Sequence, residues 1–346
     1  MTQTAAWGTV AADQPITPMA IDRRALRDDD VAIAIQFCGV CHSDLHQARN
    51  DWGGSLYPLV PGHEIAGVVS AVGAGVTGFK PGDRVAVGCM VDSCLECEPC
   101  RDHEEQYCER GMTGTYNGKD RRDGSPTYGG YSKSIVVREE FVLRVPDALD
   151  LARAAPLLCA GITSYSPLRQ WGVGPGSRIG VVGLGGLGHM GVKLGAALGA
   201  EVTMITTSPG KAADARALGA SDVLISTDDA AMQAALGRFD FILDTVPVRH
   251  DVQPYLKLLK RDGSLVIVGA IAKIELHTTF LLGGRKRLSG SGIGGIRETQ
   301  ELLDFCAEKG ILPDCEMIRM DEINHAYERM ERSDVKYRFV IDMATL

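Results

Sequence analysis

No stretch of uncharged apolar residues long enough to cross a bilayer, about 18 or more, occurs anywhere in the 346-residue chain. The sequence therefore predicts no membrane-spanning helix. There is no basic block either. Lys and Arg together number 36 against 44 acidic residues, a net charge of −8 spread without long runs of one sign. That excludes a surface built to wrap nucleic acid, and no polybasic or amphipathic membrane segment stands out. The opening residues MTQTAAWGTVAADQP lack a charged start followed by an apolar run, so no signal peptide is predicted and a cytoplasmic location is expected. Repeats and low-complexity tracts are also missing. Cysteine, by contrast, is plentiful at ten copies. A reducing compartment disfavours a disulfide framework, which leaves metal binding as the reason for so many thiols.

Composition is otherwise that of a globular protein, with 45% hydrophobic and 23% charged residues, and the length suits two domains. The first part reads as β-rich. Val31–Phe37, Glu64–Val72, Arg84–Val87 and Ser134–Val137 are short β-branched runs between turns such as Lys80-Pro-Gly-Asp83. A partly open β-barrel is expected there. From about Gly161 the pattern changes to strands alternating with helices: Arg178–Val182, Glu201–Ile205, Asp222–Ile225, Phe239–Leu243 and Ser264–Val268, with helices over His189–Leu198 and Lys211–Leu218. Such alternation predicts a parallel sheet covered on both faces. A last helix, Glu298–Glu308, and a last strand, Tyr337–Ile341, are expected to return to the first domain. The division is then 1–159 with 293–346, and 160–292.

Three cysteines recur at every third position, Cys94, Cys97 and Cys100, and Cys108 follows eight residues on. Tight turns at this spacing gather four thiolates around one metal, and four sulfurs leave no open position, so a structural zinc is expected. An iron–sulfur cluster draws on similar donors. His103 is a conceivable alternative ligand but is expected on the solvated face.

A second set is more scattered. Cys41-His-Ser-Asp-Leu-His46 and Gly62-His63-Glu64 lie in the β-rich part, and Cys159 near the domain junction. Two thiolates and an imidazole, Cys41, Cys159 and His63, would leave a fourth position of a zinc free. An open zinc is a Lewis acid and lowers the pKa of a bound hydroxyl. Taken singly, Cys159 reads equally as a small core residue, and His63 as a turn histidine. Glu64 is a candidate for the fourth position or for a neighbouring charge, and otherwise starts a strand. Asp44 is a candidate to orient His63, or a loop carboxylate facing water. Cys38 and His42 are expected to pack or face solvent, and Cys89, Cys306 and Cys315 to be free thiols.

Gly183-Leu184-Gly185-Gly186-Leu187-Gly188 is a G-x-G-x-x-G fingerprint directly after one predicted strand and opening a helix. Glycines there permit a tight turn and close approach of a pyrophosphate to the helix N-terminus. The end of the next strand selects between the two nicotinamide cofactors. A site for NAD places Asp or Glu about 20 residues past the fingerprint. Here the strand ends in Thr206-Thr207-Ser208-Pro-Gly-Lys211, with no acid from Val202 to Ala213. Hydroxyls and a Lys would hold a 2′-phosphate that a carboxylate would repel, so NADP(H) is expected. Ser208 is also a candidate helix cap.

Together these segments resemble the zinc-dependent medium-chain alcohol dehydrogenases, and within them the cinnamyl alcohol dehydrogenase group. The resemblance is carried by Cys38–His46, Pro61–Glu64, the four-cysteine lobe, Ala155–Gly161, Gly183–Met190 and Tyr337–Asp342. It implies a GroES-like barrel domain plus a Rossmann doubly wound parallel-sheet domain, and a homodimer joined through the Rossmann sheets. Cys41, His63 and Cys159 would bind the catalytic zinc with Glu64 as alternate or nearby ligand, making two zinc ions per chain. Ser43 would take the proton of the bound alcohol and pass it through the nicotinamide ribose to His46, a proton exit that hydride transfer requires. Thr163, Thr245, Gly269, Ser291, Gly292 and Ile293 would line the cofactor, in addition to Ser43, Thr206, Thr207, Ser208 and Lys211. Trp52, Met90 and Ile293 are candidates for the apolar wall of the substrate pocket.

One departure is visible. Plant members of the group commonly carry an aromatic residue where this chain has Gly114, before Thr115-Tyr-Asn117. A wider pocket and a broad primary alcohol or aldehyde range are expected, with aldehyde reduction favoured. The rival readings are an NAD-dependent zinc polyol or secondary-alcohol dehydrogenase, and a catalytically silent binding or structural protein on the same scaffold.

Overall fold

The computed structural model describes residues 2–271 and 273–346. The chain divides into two compact units, Met1–Cys159 with Gly294–Leu346, and Ala160–Ile293.

The first unit opens with an antiparallel pair, β1 (Thr2–Gly8) and β2 (Thr17–Arg23). Then come β3 (Asp30–Val40), helix α1 (His42–Ala48), β4 (Ile65–Val72), β5 (Arg84–Val87) and β6 (Met90–Asp92). The short helix α2 (Glu98–Arg101) lies in the cysteine lobe and is followed by β7 (Thr113–Gly114), β8 (Ser134–Arg138), β9 (Leu143–Arg144) and α3 (Leu151–Ala154). Long β3 is the hub of this unit. It pairs antiparallel with β4, as Ile33↔Val69, and with β8, as Ile33↔Ile135. Its inward residues Val31, Ile33 and Ile35 are buried, so the alternating β-branched pattern of the sequence is the core face of this sheet.

The second unit starts with α4 (Ala160–Gln170) and then alternates strand and helix: β10 (Arg178–Val182), α5 (Gly186–Ala197), β11 (Glu201–Thr206), α6 (Ala212–Ala217), β12 (Asp222–Ile225), α7 (Asp229–Ala234), β13 (Phe239–Asp244), α8 (Gln253–Leu258), β14 (Leu259–Ile267), α9 (Thr279–Leu282) and β15 (Arg287–Gly290). Its six strands run parallel in the order β12-β11-β10-β13-β14-β15. Strand order reverses between β10 and β13, and in open parallel sheets the crevice beyond that reversal is where ligands bind. Near-continuous apolar strands such as Ile179–Val182 and Phe241–Leu243 are buried, as a sheet covered on both faces requires. α5 begins at Gly186, three residues before the start expected from the sequence, because the glycine turn feeds directly into it.

The chain then returns to the first unit with α10 (Ile296–Lys309), β16 (Cys315–Arg319), α11 (Ile323–Glu331) and β17 (Arg338–Asp342). β17 pairs antiparallel with the far end of β3, Phe339↔Val40 and Ile341↔Cys38. The last strand thus lies beside the loop that carries Cys41. β15, β16 and α11 had no separate expectation from the sequence, since each is short or weakly apolar.

Among the described residues no helix is long and apolar enough to cross a membrane.

Candidate active site

The four-cysteine lobe is closed by local geometry. The sulfurs of Cys94, Cys97, Cys100 and Cys108 lie within 4.8 Å of one another. Cys94 and Cys100 are 3.9 Å apart, and Cys97 and Cys108 4.0 Å. Four thiolates at about 2.3 Å from a tetrahedral zinc would stand roughly 3.8 Å apart, so the donor set and its spacing fit that ion. Backbone N–H groups of Glu96 and Cys97 donate to Cys94 Sγ at 3.5 and 3.4 Å, and these bonds bring its thiol down to about 6. Burial pushes Cys100 up to about 12, with Ser93 Oγ 3.3 Å away opposing it. His103 stands outside the cluster, half exposed and 4.0 Å from Glu105.

Glu105 connects this lobe to the returning chain. Its buried carboxylate accepts from Ile296 N at 2.9 Å, the first residue of α10. Glu105→Ala leaves that N–H without its partner, at a cost of about 1–3 kcal/mol. The expected result is a lower melting temperature with unchanged zinc content. A melting temperature equal to that of the parent would refute the clamp.

The second cluster gathers residues far apart in sequence. Ligand atoms of Cys41, His63, Glu64 and Cys159 lie within 4.8 Å of one another, and all four residues are buried. Cys41 precedes α1, His63 and Glu64 precede β4, and Cys159 follows the turn Ala155–Leu158. Cys41 Sγ and Cys159 Sγ are 3.8 Å apart.

Asp44 is the group that binds these loops together. It is fully buried and accepts from Cys41 N at 2.9 Å, Gly62 N at 3.0 Å and His63 Nδ1 at 3.0 Å. Because Nδ1 donates to this carboxylate, Nε2 of His63 is left as the lone-pair nitrogen that can ligate. Of the two readings open for Asp44 in the sequence, the structure selects the orienting one. Burial disfavours a charged His63, but the adjacent Asp44 raises its pKa well above the ordinary imidazole value. Hydrogen bonding from Cys159 lowers the Cys41 thiol well below its ordinary range, and the same bond raises Cys159.

Glu64 does not stand alone. Arg338, at the start of β17, forms a buried ion pair with its Oε1. A Cβ on Gly39 of β3 would overlap the Glu64 carboxylate, so glycine is needed beside it. Burial pushes Glu64 up to about 7, opposed by the Arg338 charge. Glu64 Oε2 has no hydrogen-bond partner. Two thiols, an imidazole and two carboxylates buried together, against one guanidinium, form a donor set that suits a divalent, sulfur-tolerant cation such as zinc. Arg338 had no assigned role in the sequence. The only signal was its place in the segment Tyr337–Asp342.

Ser43 and His46 share a face of α1 at a spacing of three residues. Ser43 Oγ is 3.6 Å from Cys41 Sγ. His46 Nδ1 is 2.8 Å from Asp51 Oδ2 near the surface, and its ring lies 5.2 Å from that of Trp52 at a tilt of 37°. Trp52, a candidate pocket wall, is half exposed, whereas Met90 is buried and pairs with Gly114 across β6 and β7. Cys38 is buried and His42 exposed. None of the ten cysteines forms a disulfide, and Cys89 Sγ donates to Leu158 O at 3.6 Å.

In the second unit the fingerprint adopts the turn its glycines permit. Gly183 has φ of 89°, and a Cβ on Gly188 would overlap the Gly183 carbonyl. Thr245 Oγ1 donates to Val182 O at 2.7 Å, and Ser164 Oγ, next to Thr163 on α4, to Leu187 O at 3.0 Å. Thr206, Thr207 and Ser208 follow β11, and Lys211 Nζ reaches back to Leu184 O at 3.2 Å. Ser208 makes no side-chain cap to the following turn. Gly269 and Ser291–Ile293 follow the ends of β14 and β15, at the same edge of the sheet as Gly183 and Thr245. Ile293 falls in the second unit.

Comparison with known proteins decides the family. Residues 27–147 match the alcohol dehydrogenase GroES-like domain, and residues 186–308 the zinc-binding dehydrogenase domain. The chain belongs to the zinc-dependent medium-chain alcohol dehydrogenases. It is 56% identical to an aldehyde reductase of Escherichia coli over 98% of each chain. It is 54% identical to an NADP-dependent alcohol dehydrogenase of Mycolicibacterium smegmatis over 100% of this chain and 99% of that one. The solved cinnamyl alcohol dehydrogenase of Sorghum bicolor superposes with a TM-score of 0.96 at 48% identity, covering 99% of this chain and 98% of the other. The dehydrogenase therefore has the GroES-like and Rossmann halves expected from its sequence, within the cinnamyl alcohol dehydrogenase group.

Proposed function

We propose that this dehydrogenase interconverts primary alcohols and aldehydes with zinc and NADP(H), aldehyde reduction being the favoured direction. The observation that carries the reading is the buried cluster of Cys41, His63 and Cys159, oriented by Asp44, in a chain that also holds a glycine fingerprint without an acidic ribose partner.

Cys41, His63 and Cys159 hold the catalytic zinc, and Cys94, Cys97, Cys100 and Cys108 the structural one, two ions per chain. Zinc held there would supply Lewis acidity toward the substrate oxygen, and bound NADP(H) would supply the hydride chemistry. Asp44 fixes the His63 tautomer. Glu64, held by Arg338, contributes a nearby negative charge rather than a permanent ligand. Ser43 Oγ holds the hydroxyl proton of an alcohol, and His46, bonded to Asp51 at the surface, exchanges it with solvent. In aldehyde reduction the same two groups return the proton. Gly183–Gly188, Thr163, Thr245, Gly269 and Ser291–Ile293 seat the dinucleotide, and Thr206, Thr207, Ser208 and Lys211 its 2′-phosphate. Gly114, paired with Met90, carries no side chain where plant members commonly have an aromatic ring, which supports a range that takes in both aliphatic and aromatic substrates. The reading extends to a cytoplasmic homodimer joined through the Rossmann sheets.

The test is oxidation of NADPH and of NADH against a panel of aliphatic and aromatic aldehydes, repeated with Lys211→Ala. A charge-assisted hydrogen bond is worth about 1.5–3 kcal/mol, or roughly ten- to a hundredfold in affinity. The expected result is turnover with NADPH across the panel. In the variant, KM for NADPH rises by about that factor and the NADH reaction is unchanged. A parent enzyme that prefers NADH would overturn the cofactor assignment.

A further inference from the structure

We propose that Asp244 and His250 share one proton beyond the neutral-imidazole, ionised-carboxylate count, and that this pair positions the loop 245–252 so that NADP(H) binding weakens when the proton is lost. The proposal rests on the NADP(H) reading above.

Asp244 ends β13 and is completely buried. It accepts from Val246 N at 3.2 Å, and its Oδ2 is 2.8 Å from His250 Nε2. The other ring nitrogen, Nδ1, is 2.8 Å from the carbonyl oxygen of Val248. A carbonyl oxygen can only accept, so Nδ1 carries hydrogen. In a neutral ring Nε2 would then point a lone pair at a carboxylate oxygen, which is repulsive. A proton must lie between them, whether written as imidazolium with carboxylate or as imidazole with carboxylic acid. Burial pushes the Asp244 carboxyl upward, opposed by the charge of His250. The two bonds tie Val248 and His250 back to the strand end and close the loop on itself.

That loop forms one wall of the glycine turn. Thr245 Oγ1 donates to Val182 O at 2.7 Å and to Gly183 O at 3.2 Å. A Cβ at Gly183 would stand 2.8 Å from Val246 Cγ2, and one at Gly188 3.2 Å from Thr245 Oγ1. A Cβ at Gly269 would stand 2.5 Å from Val246 O. Displacement of Val246 by a few tenths of an ångström is therefore transmitted to the turn that receives the pyrophosphate. Loss of the shared proton removes one of the two bonds of His250, since a neutral ring cannot donate to both partners.

Among the described residues, the titratable or charged groups around the pair are Tyr255 from α8, Asp251 next in the chain, and Arg249. The Tyr255 ring lies 6.0 Å from that of His250. Asp251 Oδ1 accepts from Gln253 N at 2.9 Å, and Arg249 pairs with Glu275 at 2.8 Å. The direct partner of the imidazole is Asp244. The sign follows. The proton is present at low pH, and affinity falls as pH rises.

The experiment has two arms on the full-length zinc-loaded enzyme. First, nitrogen NMR of histidine-labelled protein at pH 7 is compared with His250→Gln to assign the ring. Two protonated nitrogens, or a strong Nε2–H–O signal that disappears in Asp244→Asn, are expected. A neutral tautomer with no such coupling overturns the proposal. Second, Kd for NADPH is measured from pH 6 to 9 in the parent, His250→Gln and Asp244→Asn. One lost hydrogen bond corresponds to about three- to tenfold. Parent affinity should fall by about that factor more than in either variant, which share only the titration of the cofactor itself. Identical slopes in all three proteins overturn the proposal. Failure of the parent to bind NADPH at any pH would instead sink the cofactor reading, and the NMR arm would still judge the pair.

Discussion

Cys159→Ala should leave one zinc per chain where the parent has two, and reduce alcohol oxidation by at least about a thousandfold. Lewis-acid stabilisation of charge on the substrate oxygen is worth several kcal/mol, and each 1.36 kcal/mol is a factor of ten in rate. Cys159 sits 3.8 Å from Cys41, between the turn Ala155–Leu158 and α4, and Ala in its place takes away one sulfur with little change of shape. The control is Cys94→Ala, which strikes the other cluster. It should also drop one zinc per chain, but the loss should appear first in thermal stability. Kd for NADPH should be unchanged in Cys159→Ala, because the glycine turn belongs to the second unit. Metal analysis, turnover and cofactor binding together separate the outcomes. Full activity in Cys159→Ala would end the zinc mechanism. A parent with one zinc and no turnover would favour a silent protein on this scaffold.

Arg338→Met should be among the most destabilising single changes in the chain. Arg338 is 5% exposed and Glu64 not at all, so the variant strands a carboxylate in the interior beside two thiols. Removing one partner of a buried pair costs about 3–5 kcal/mol, against a total stability of about 5–15 kcal/mol for a typical protein. The expected readouts are a large fall in melting temperature and poor yield of folded enzyme. Glu64→Gln combined with Arg338→Met should recover a good part of the loss, since neither charge is then left alone. Should Arg338→Met melt with the parent, the pair would be contributing nothing. Should the double variant be no better than the single one, the loss would come from packing of the Arg338 side chain instead.

These two experiments probe features that differ in how far they could be read from the chain alone. The four-cysteine cluster was legible because its thiols fall within fifteen consecutive residues, where turn geometry fixes the distances. The fingerprint was legible for the same reason: strand, glycine turn and helix are contiguous. The parallel sheet followed from strand–helix alternation, and the last strand was expected in the first domain, though without β3 as its partner. The NADP(H) preference came from the missing acid between Val202 and Ala213, again a local feature.

Other assignments needed the folded chain. Cys41 and Cys159 are 118 positions apart, and Arg338 and Glu64 274. No periodicity relates such pairs, since their meeting depends on strand registers such as Ile341↔Cys38 and on the turn before α4. Asp44 could be read as a loop carboxylate until its three donors from two separate loops were seen. Cys89 had no spacing partner in the sequence, yet its thiol donates to Leu158 O, one residue before Cys159. Trp52 gave no sign that its ring would lie against His46. The pairing of Asp244 with His250 is local in sequence, but the proton count depends on which atoms face each ring nitrogen.

The chain by itself determined the chemistry available: two sets of soft ligands, a turn that admits a pyrophosphate, and hydroxyls with a lysine where an acid would select NAD. Local spacing was enough, because turns and helix ends impose short-range geometry. Tertiary structure decided which of the scattered residues meet, which tautomer His63 adopts, and that Arg338 holds Glu64. Those are long-range outcomes of sheet registration and burial. In a buried site one extra charge changes the role of every neighbour.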